Sequence, residues 1–132
     1  MATTALIPND QTVYRGLGNS NWSKNGVVNY KAFMLRPAND RFPAEEELSL
    51  GLTPESAVDE LREHHGIASL LVERIHGLPH GLTVRADRHN DTKAELFGLP
   101  LFSQEAAQRR LAIAMATDLA GLAFFIPVDP VQ

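Results

Sequence analysis

The amino-acid sequence predicts a single α+β domain in which two principal helices pack against a mainly antiparallel sheet. Two periodic segments, residues 54–65 and residues 104–120, are flanked by residues typical of helix ends. Short runs of branched and aromatic residues lie between turn-forming clusters, as expected for strands. The 132 residues suit one domain, residues 1–132, with residues 1–11 as a loose N-terminal arm.

Residues 12–36 are expected to form the first strands of the sheet. Residues 12–15 resemble a short strand that stops at Gly16. The polar segment that follows contains the pair Asn25-Gly26, which is a strong signal for a tight hairpin turn. Residues 27–36 then alternate in the manner of a strand that Pro37 ends.

The middle of the chain predicts a strand, a helix and a second strand. Residues 48–50 form the first strand, and Thr53 caps the helix over residues 54–65. Residues 67–75 are rich in branched side chains and predict a buried strand. This order allows a crossover connection between the two strands.

The last third predicts a hairpin, a helix and a terminal strand. Residues 82–86 alternate as a half-buried strand that would pair with residues 67–75. Ser103 is expected to cap the helix over residues 104–120. Its apolar stripe would comprise Ala107, Leu111, Ala114 and Met115, broadened by Ala112, Ile113 and Ala116. Residues 122–126 predict a short strand or an apolar tail before two prolines.

Composition and charge exclude several classes of function. A formal net charge of −4 and a pI near 5.7 make nucleic acid an improbable partner, because phosphate binding needs a basic surface. The sequence contains no cysteine, which excludes disulfides, thiolate metal sites and cysteine nucleophiles. No apolar run is long enough to span a membrane, so the expected location is the cytoplasm.

Four separate runs resemble a family of small bacterial proteins of uncharacterised function. They are Ala32-Phe33-Met34-Leu35-Arg36-Pro37, Leu48-Ser49-Leu50, the segment from Ser69 to Arg74, and Ala94-Glu95-Leu96-Phe97-Gly98-Leu99-Pro100. Family members show F-x-L-R-P, G-L-S-V and H-A-N-I-x-G-x-P runs. This chain has Lys93 and Glu95 where that last run has histidine and asparagine. The resemblance implies kinship over roughly residues 30–119 but no particular activity.

A second resemblance concerns the run Val13-Tyr14-Arg15-Gly16, which is similar to the opening strand of enzymes that transfer ADP-ribose from NAD. The resemblance implies that Tyr14 and Arg15 contact the dinucleotide, and that Ser49 and Glu95 are the catalytic pair. A guanidinium suits phosphate oxygens, and a carboxylate can stabilise the positive charge that develops as nicotinamide leaves. NAD is expected as a cofactor only under this hypothesis.

Arg36 and the segment from Asp87 to Asp91 are further candidates for ligand or metal binding. Arg36 ends an apolar strand, so it should be buried and paired, either with Glu73 or Glu95 or with an anionic ligand. The alternating set Asp87, His89 and Asp91 could hold a divalent metal, but a solvated loop is the simpler interpretation. No metal site is therefore predicted.

The leading hypothesis is a small binding or interaction module of unknown ligand, with an NAD-dependent ADP-ribosyltransferase-like enzyme as the alternative. The sequence lacks the G-x-S-x-G, phosphate-loop and H-E-x-x-H motifs of common enzyme classes. The apolar residues 122–126 predict a homodimer or a protein partner, because a terminal strand cannot bury all of them. The competing expectation is that Leu6 and Ile7 of the arm cover the same surface.

Overall fold

A computed structural model describes residues 5–127 and confirms the α+β class. The main sheet contains six strands, and every neighbouring pair is antiparallel, in the order β6-β7-β4-β1-β5-β8. The strands are β1 (Thr12–Gly16), β4 (Leu48–Gly51), β5 (Ile67–Leu71), β6 (Thr83–Ala86), β7 (Lys93–Phe97) and β8 (Phe124–Ile126). Strands β2 (Ser23–Lys24) and β3 (Val27–Val28) form a separate hairpin. The helices are α1 (Pro54–Val58), α2 (Val72–His76) and α3 (Ala106–Leu122).

The register of the sheet gives it two chemically different faces. Val13, Leu70, Leu50, Leu96 and Val84 are buried side chains on one side, which we call the core face. Side chains alternate along a strand, so the intervening residues point the other way. This second side, the open face, carries Tyr14, Ser49, Gly51, Lys93, Glu95 and Arg85. The polar residues singled out from sequence therefore lie mainly on the open face.

Helix α1 begins as predicted but ends at Val58 instead of continuing to residue 65. Thr53 and Ser56 form a reciprocal capping box, and Pro54 occupies the first turn. The next residues have partners outside a helix, because the Asp59 carboxylate binds Lys93 and the His65 amide donates to the Leu17 carbonyl. These tertiary contacts replace the last predicted turns of the helix.

The strand predicted over residues 67–75 is wrong in its second half. Strand β5 ends at Leu71, and the chain turns into α2, where Val72 and Ile75 are both buried at helical spacing. The predicted hairpin between this strand and residues 82–86 is also wrong, because β6 pairs with β7. The crossover is present: β4 and β5 both run antiparallel to β1, which lies between them.

Residues 27–36 form a strand only at their start. Asn25 and Gly26 have φ angles of 54° and 79°, which confirms the tight hairpin turn between β2 and β3. A 3-10 helix, Tyr30–Phe33, then replaces the predicted strand, and the Asn29 side chain caps it by accepting from the Lys31 amide. This 3-10 helix buries Phe33 against the core face.

Helix α3 packs on the 3-10 helix Tyr30–Phe33 and buries only part of the predicted stripe. Met115, Ala116 and Leu119 are buried, whereas Ala107, Leu111 and Ala114 are exposed. The Ser103 hydroxyl accepts from the Glu105 amide, and Glu105 is the residue that precedes the first turn. Met115 and Ala116 thus face inward as predicted, and Leu119 extends the stripe in place of the three exposed residues.

The part of the N-terminal arm that is described, residues 5–11, is held to the sheet instead of being loose. Ile7 is buried and its amide donates to the Val84 carbonyl, while Ala86 donates to the Ala5 carbonyl. The arm therefore extends the β6 edge, at the far side of the sheet from β8. Over residues 5–127, no helix has both the length and the apolar character needed to cross a membrane.

Candidate functional site

A polar cleft opens on the open face beside the loop over residues 36–47. Its volume is about 420 Å³. We call it the acidic cleft, because Glu45, Glu46, Glu47, Asp87 and Glu95 line it together with Arg36, Phe42, Pro43, Ala44 and Ser49. Three residues predicted as site residues, Arg36, Ser49 and Glu95, are thus brought together.

The predicted catalytic pair is set by the register of β4 and β7. Ser49 lies directly opposite Glu95, and Arg85 of β6 lies on the other side of Glu95. Tyr14 is on the same face but is paired with Gly51, so it lies outside the cleft. Ser49 is exposed, and its hydroxyl makes no hydrogen bond to any described residue.

Glu95 has a perturbed acidity. Partial burial raises the pKa of its carboxyl group above 4.5, and the negative charges of Glu47 and Asp87 raise it further. A side-chain hydrogen bond with Asp87 acts in the same direction, and Arg88 opposes them. The carboxyl group therefore holds a proton more readily than an exposed glutamate, which is a property of general acids as well as of crowded acidic surfaces.

The prediction that Arg36 is buried in an ion pair is wrong. Its side chain is half-buried, and its guanidinium donates to the carbonyl oxygens of Pro37 and Pro43 at 3.0 and 3.1 Å. The guanidinium also lies 5.4 Å from the centre of the Phe42 ring. Glu45 accepts from the Arg36 main-chain amide and not from the guanidinium. Neither Glu73 nor Glu95 is its partner.

The Arg15 side chain lies on the core face, opposite to the face that carries the Ser49 and Glu95 side chains. Its register partner is Ala68, in the buried row that also contains Val13 and Leu70. Its Nε and Nη1 atoms donate to the carbonyl oxygens of Ala32 and Ser49 at 2.9 and 3.1 Å.

The surroundings of the Arg15 guanidinium explain why it points there. It lies 5.3 Å from the centre of the Trp22 ring, and burial lowers its pKa to about 10, so it is charged at neutral pH. The neighbouring charge of Glu45 opposes this shift. Arg15 thus connects β1, β4 and the 3-10 helix Tyr30–Phe33. The NAD hypothesis needs Arg15, Ser49 and Glu95 at one site, and only the last two share the acidic cleft.

His76 and the Asp87 loop have structural partners. Asp87 accepts from the amides of His89 and Asn90, which folds the loop on itself. The His76 ring accepts from the Val84 amide through Nε2, so its Nδ1 donates to Asn9. Within residues 5–127 no group of three or more histidine and acidic side chains is placed to hold a metal ion.

Lys93 is a buried cation that sequence reasoning did not identify as a site. Its side chain is 8% exposed, and its Nζ atom lies 2.7 Å from Asp59 Oδ1 and 2.6 Å from the Ser56 carbonyl oxygen. The lysine joins β7 to the end of α1. These contacts give Lys93 a structural role.

A second cleft, of about 230 Å³, lies between the 3-10 helix Tyr30–Phe33, residues 99–103 and α3. We call it the apolar cleft. Its lining residues are Tyr30, Lys31, Phe33, Met34, Leu35, Leu99, Pro100, Leu101, Phe102, Ser103, Gln108, Arg109, Ala112 and Ile113. Buried Phe33, Leu35 and Leu99 lie at its base, whereas Leu101 and Phe102 are 54% and 45% exposed at its rim.

Sequence reasoning missed the apolar cleft. The available signal was the apolar run from Leu99 to Phe102 in a segment without helical or strand periodicity. An irregular segment at the surface is usually polar, so exposed apolar side chains there indicate a contact surface. Identifying the cleft also required the packing of α3 on the 3-10 helix Tyr30–Phe33, which no local pattern contains.

Comparisons with known proteins do not identify the chain. No protein-family model, no curated protein and no solved structure matches it. Both resemblances noted from the sequence therefore stay predictions.

Proposed function

We propose that this protein is a small binding module whose ligand site is the apolar cleft. The observation that carries this proposal is the combination of a buried apolar base with an exposed apolar rim. Small-molecule sites are typically concave and mostly apolar, with a few polar groups that orient the ligand. Phe33 and Leu99 provide the apolar base, and Tyr30, Ser103 and Gln108 provide polar groups at one site.

The exposed rim favours a ligand site, and not a packing defect, as the explanation of the cleft. Protein interiors are close-packed, with few spaces larger than a water molecule. Here the segment that borders the cleft keeps Leu101 and Phe102 accessible. Each exposed apolar group forgoes roughly 25 cal/mol per Å² of burial free energy, which a ligand in the cleft would recover.

The acidic cleft supports a ligand less well. Its lining carries five carboxylates with Arg36, whose guanidinium is already bonded to two main-chain carbonyl oxygens. Its largest apolar contribution, Phe42, stacks on the same guanidinium. The Arg15 side chain also lies on the opposite face of the sheet from the Ser49 and Glu95 side chains, so no observation favours the transferase alternative over the binding module.

The methyl group of Met34 provides a direct test, because Met34 lines the apolar cleft and the chain has only three methionines. We would label methionine methyl groups with ¹³C and add apolar fragments of about ten non-hydrogen atoms. We expect the Met34 signal to shift with saturation, while the signal of Met115, buried on the inner side of α3, stays near its position.

A pair of substitutions on α3 then assigns the site. Ala112 lines the cleft, so Ala112→Phe should fill it and abolish the fragment shifts. Ala107 is exposed and outside the cleft, so Ala107→Phe is the matched control and should leave binding unchanged. Equal binding by both variants, or no Met34 shift with any fragment, would contradict the proposal.

We also propose that the protein forms a homodimer through the β8 edge. Strand β8 pairs with β5 on one side, and no described strand pairs with its other side. Phe124 is 66% exposed on this strand, and Val27 of the nearby hairpin is 67% exposed. An apolar edge strand is commonly covered by another chain. Light scattering should give twice 14.5 kDa, falling to the monomer mass with Phe124→Asp; a monomer mass for the unmodified chain would refute it.

A further inference from the structure

We propose that the ligand of the apolar cleft is an organic carboxylate, with its apolar body in the cleft and its charged end between Lys31 and Arg109. This inference rests on the proposed function, because it assigns the chemical class of the ligand for the same site. It is carried by the charges of the lining residues. The cleft includes two cationic side chains, and no aspartate or glutamate lines it.

The two cations approach the cleft from different elements. Lys31 belongs to the 3-10 helix Tyr30–Phe33 on one side, and Arg109 belongs to the first turn of α3 on the other. Neither side chain forms an ion pair or a hydrogen bond with any residue between 5 and 127. Both groups are thus available to an anion, in a protein whose formal net charge is −4.

The start of α3 adds to this preference for negative charge. A helix N-terminus carries a partial positive charge, and its first amide groups have no partner within the helix. The first turn of α3 contains no acidic residue, and Glu105 before it makes no side-chain cap bond. Ser103 and Gln108 place neutral polar groups beside this turn in the cleft. The combination of cations and helix end favours a carboxylate over a neutral polar group.

The size of the cleft limits the apolar body of the ligand. Sites for drug-sized molecules usually exceed about 300 Å³, so a cleft of about 230 Å³ suits a shorter chain or a single ring. Octanoate combines a body of this kind with one carboxylate. Octanamide has the same chain and a neutral polar end, which makes it a matched comparison.

The experiment is a titration of the full chain with octanoate and with octanamide, followed by the Met34 methyl signal. We expect octanoate to bind about tenfold more tightly, since only its carboxylate can form exposed ion pairs with the two cations. Lys31→Gln and Arg109→Gln should each weaken octanoate binding about threefold to fivefold and leave octanamide binding unchanged. Added salt at about 0.5 M should weaken octanoate binding alone, because it screens exposed charges.

Two further substitutions serve as controls for overall charge. Arg110→Gln removes the next arginine of α3, which is exposed and outside the cleft, and Lys24→Gln removes an exposed lysine of β2. Neither should change octanoate binding. All four positions are exposed, so circular dichroism should show an unchanged fold in every variant.

The negative results of this experiment distinguish an error in the carboxylate assignment from an error in the proposed function. Equal affinity for octanoate and octanamide, unaffected by Lys31→Gln and Arg109→Gln, would overturn the carboxylate assignment and leave the apolar cleft as a ligand site. The same holds if neither compound shifts Met34 while neutral fragments do. If no compound of either kind shifts Met34, the proposed function itself is wrong.

Discussion

The ammonium group of Lys93 lies 2.7 Å from the carboxylate of Asp59, and the two ends of this ion pair differ sharply in exposure. The lysine side chain is 8% exposed and the aspartate side chain is 47% exposed. Lys93 also donates to the Ser56 carbonyl oxygen at 2.6 Å. The pair holds the end of α1 against β7 on the open face of the sheet.

Because of this difference in exposure, removing the aspartate and removing the lysine should lower the free energy of unfolding by different amounts. Asp59→Ala leaves a buried ammonium without its nearest counter-charge and should lower the free energy of unfolding by about 2–3 kcal/mol. Lys93→Met leaves an aspartate that water can solvate, so we expect a loss of about 1 kcal/mol. Urea titration measures both. Glu60→Ala is the control, because Glu60 is 82% exposed and 3.9 Å away. A larger loss for Lys93→Met would contradict this explanation.

Arg36→Ala should cost about 1 kcal/mol of unfolding free energy, not the roughly 3 kcal/mol expected for a buried ion pair. The guanidinium donates to two carbonyl oxygens of its own loop and stacks on Phe42, all at a half-buried position. Arg41→Ala, at an exposed position in the same loop, should be nearly neutral. Denaturant titration of both variants measures the difference, and a loss above about 2.5 kcal/mol for Arg36→Ala would show an additional partner.

Glu95→Gln should stabilise the protein at neutral pH and have no effect in acid. The folded state raises the pKa of Glu95 above its ordinary value of 4.5, so the folded protein binds a proton that the unfolded chain has released. Stability contributed by this group therefore falls as pH rises from 4.5 through the folded pKa. Since solvent screens this partly exposed group, we expect a gain of about 0.5 kcal/mol at pH 7.

Thermal unfolding from pH 4 to pH 8 measures this effect. Glu46→Gln removes one charge from an exposed position in the same cleft and controls for net charge. If the two variants show the same pH dependence of stability, the effect of Glu95→Gln does not arise from the partial burial of Glu95.

The sequence could predict the elements whose signals are local. Thr53 and Pro54 fixed the start of α1, and Asn25-Gly26 fixed the turn of the β2–β3 hairpin, because each depends on a few neighbouring residues. The end of α1 depends on Asp59 reaching Lys93, 34 positions further along the chain. No local pattern contains that contact, so the predicted helix was too long.

The two clefts likewise depend on contacts between residues that are distant in sequence. Ser49 and Glu95 could be proposed as a pair, but that they face each other follows only from the β4–β7 register. Arg15 belongs to the same short list by sequence, yet strand alternation places its side chain on the core face. The apolar cleft joins residues around Phe33 with residues around Arg109, and only the packing of α3 brings them together.

Two glycine-to-alanine substitutions should change stability in opposite directions. A methyl group on Gly51 of β4 would lie 2.5 Å from the Ala57 nitrogen and 2.6 Å from Ser56 Oγ, so α1 would have to move away from the sheet. We expect Gly51→Ala to lower the free energy of unfolding by about 2–3 kcal/mol, as for other overpacked sites. Gly121 lies in α3 with nothing within 4 Å of an added methyl group. Gly121→Ala should therefore raise the free energy of unfolding by about 0.5–1 kcal/mol through helix propensity. Urea titration of the two variants measures both changes, and a neutral Gly51→Ala would show that α1 does not pack closely on β4.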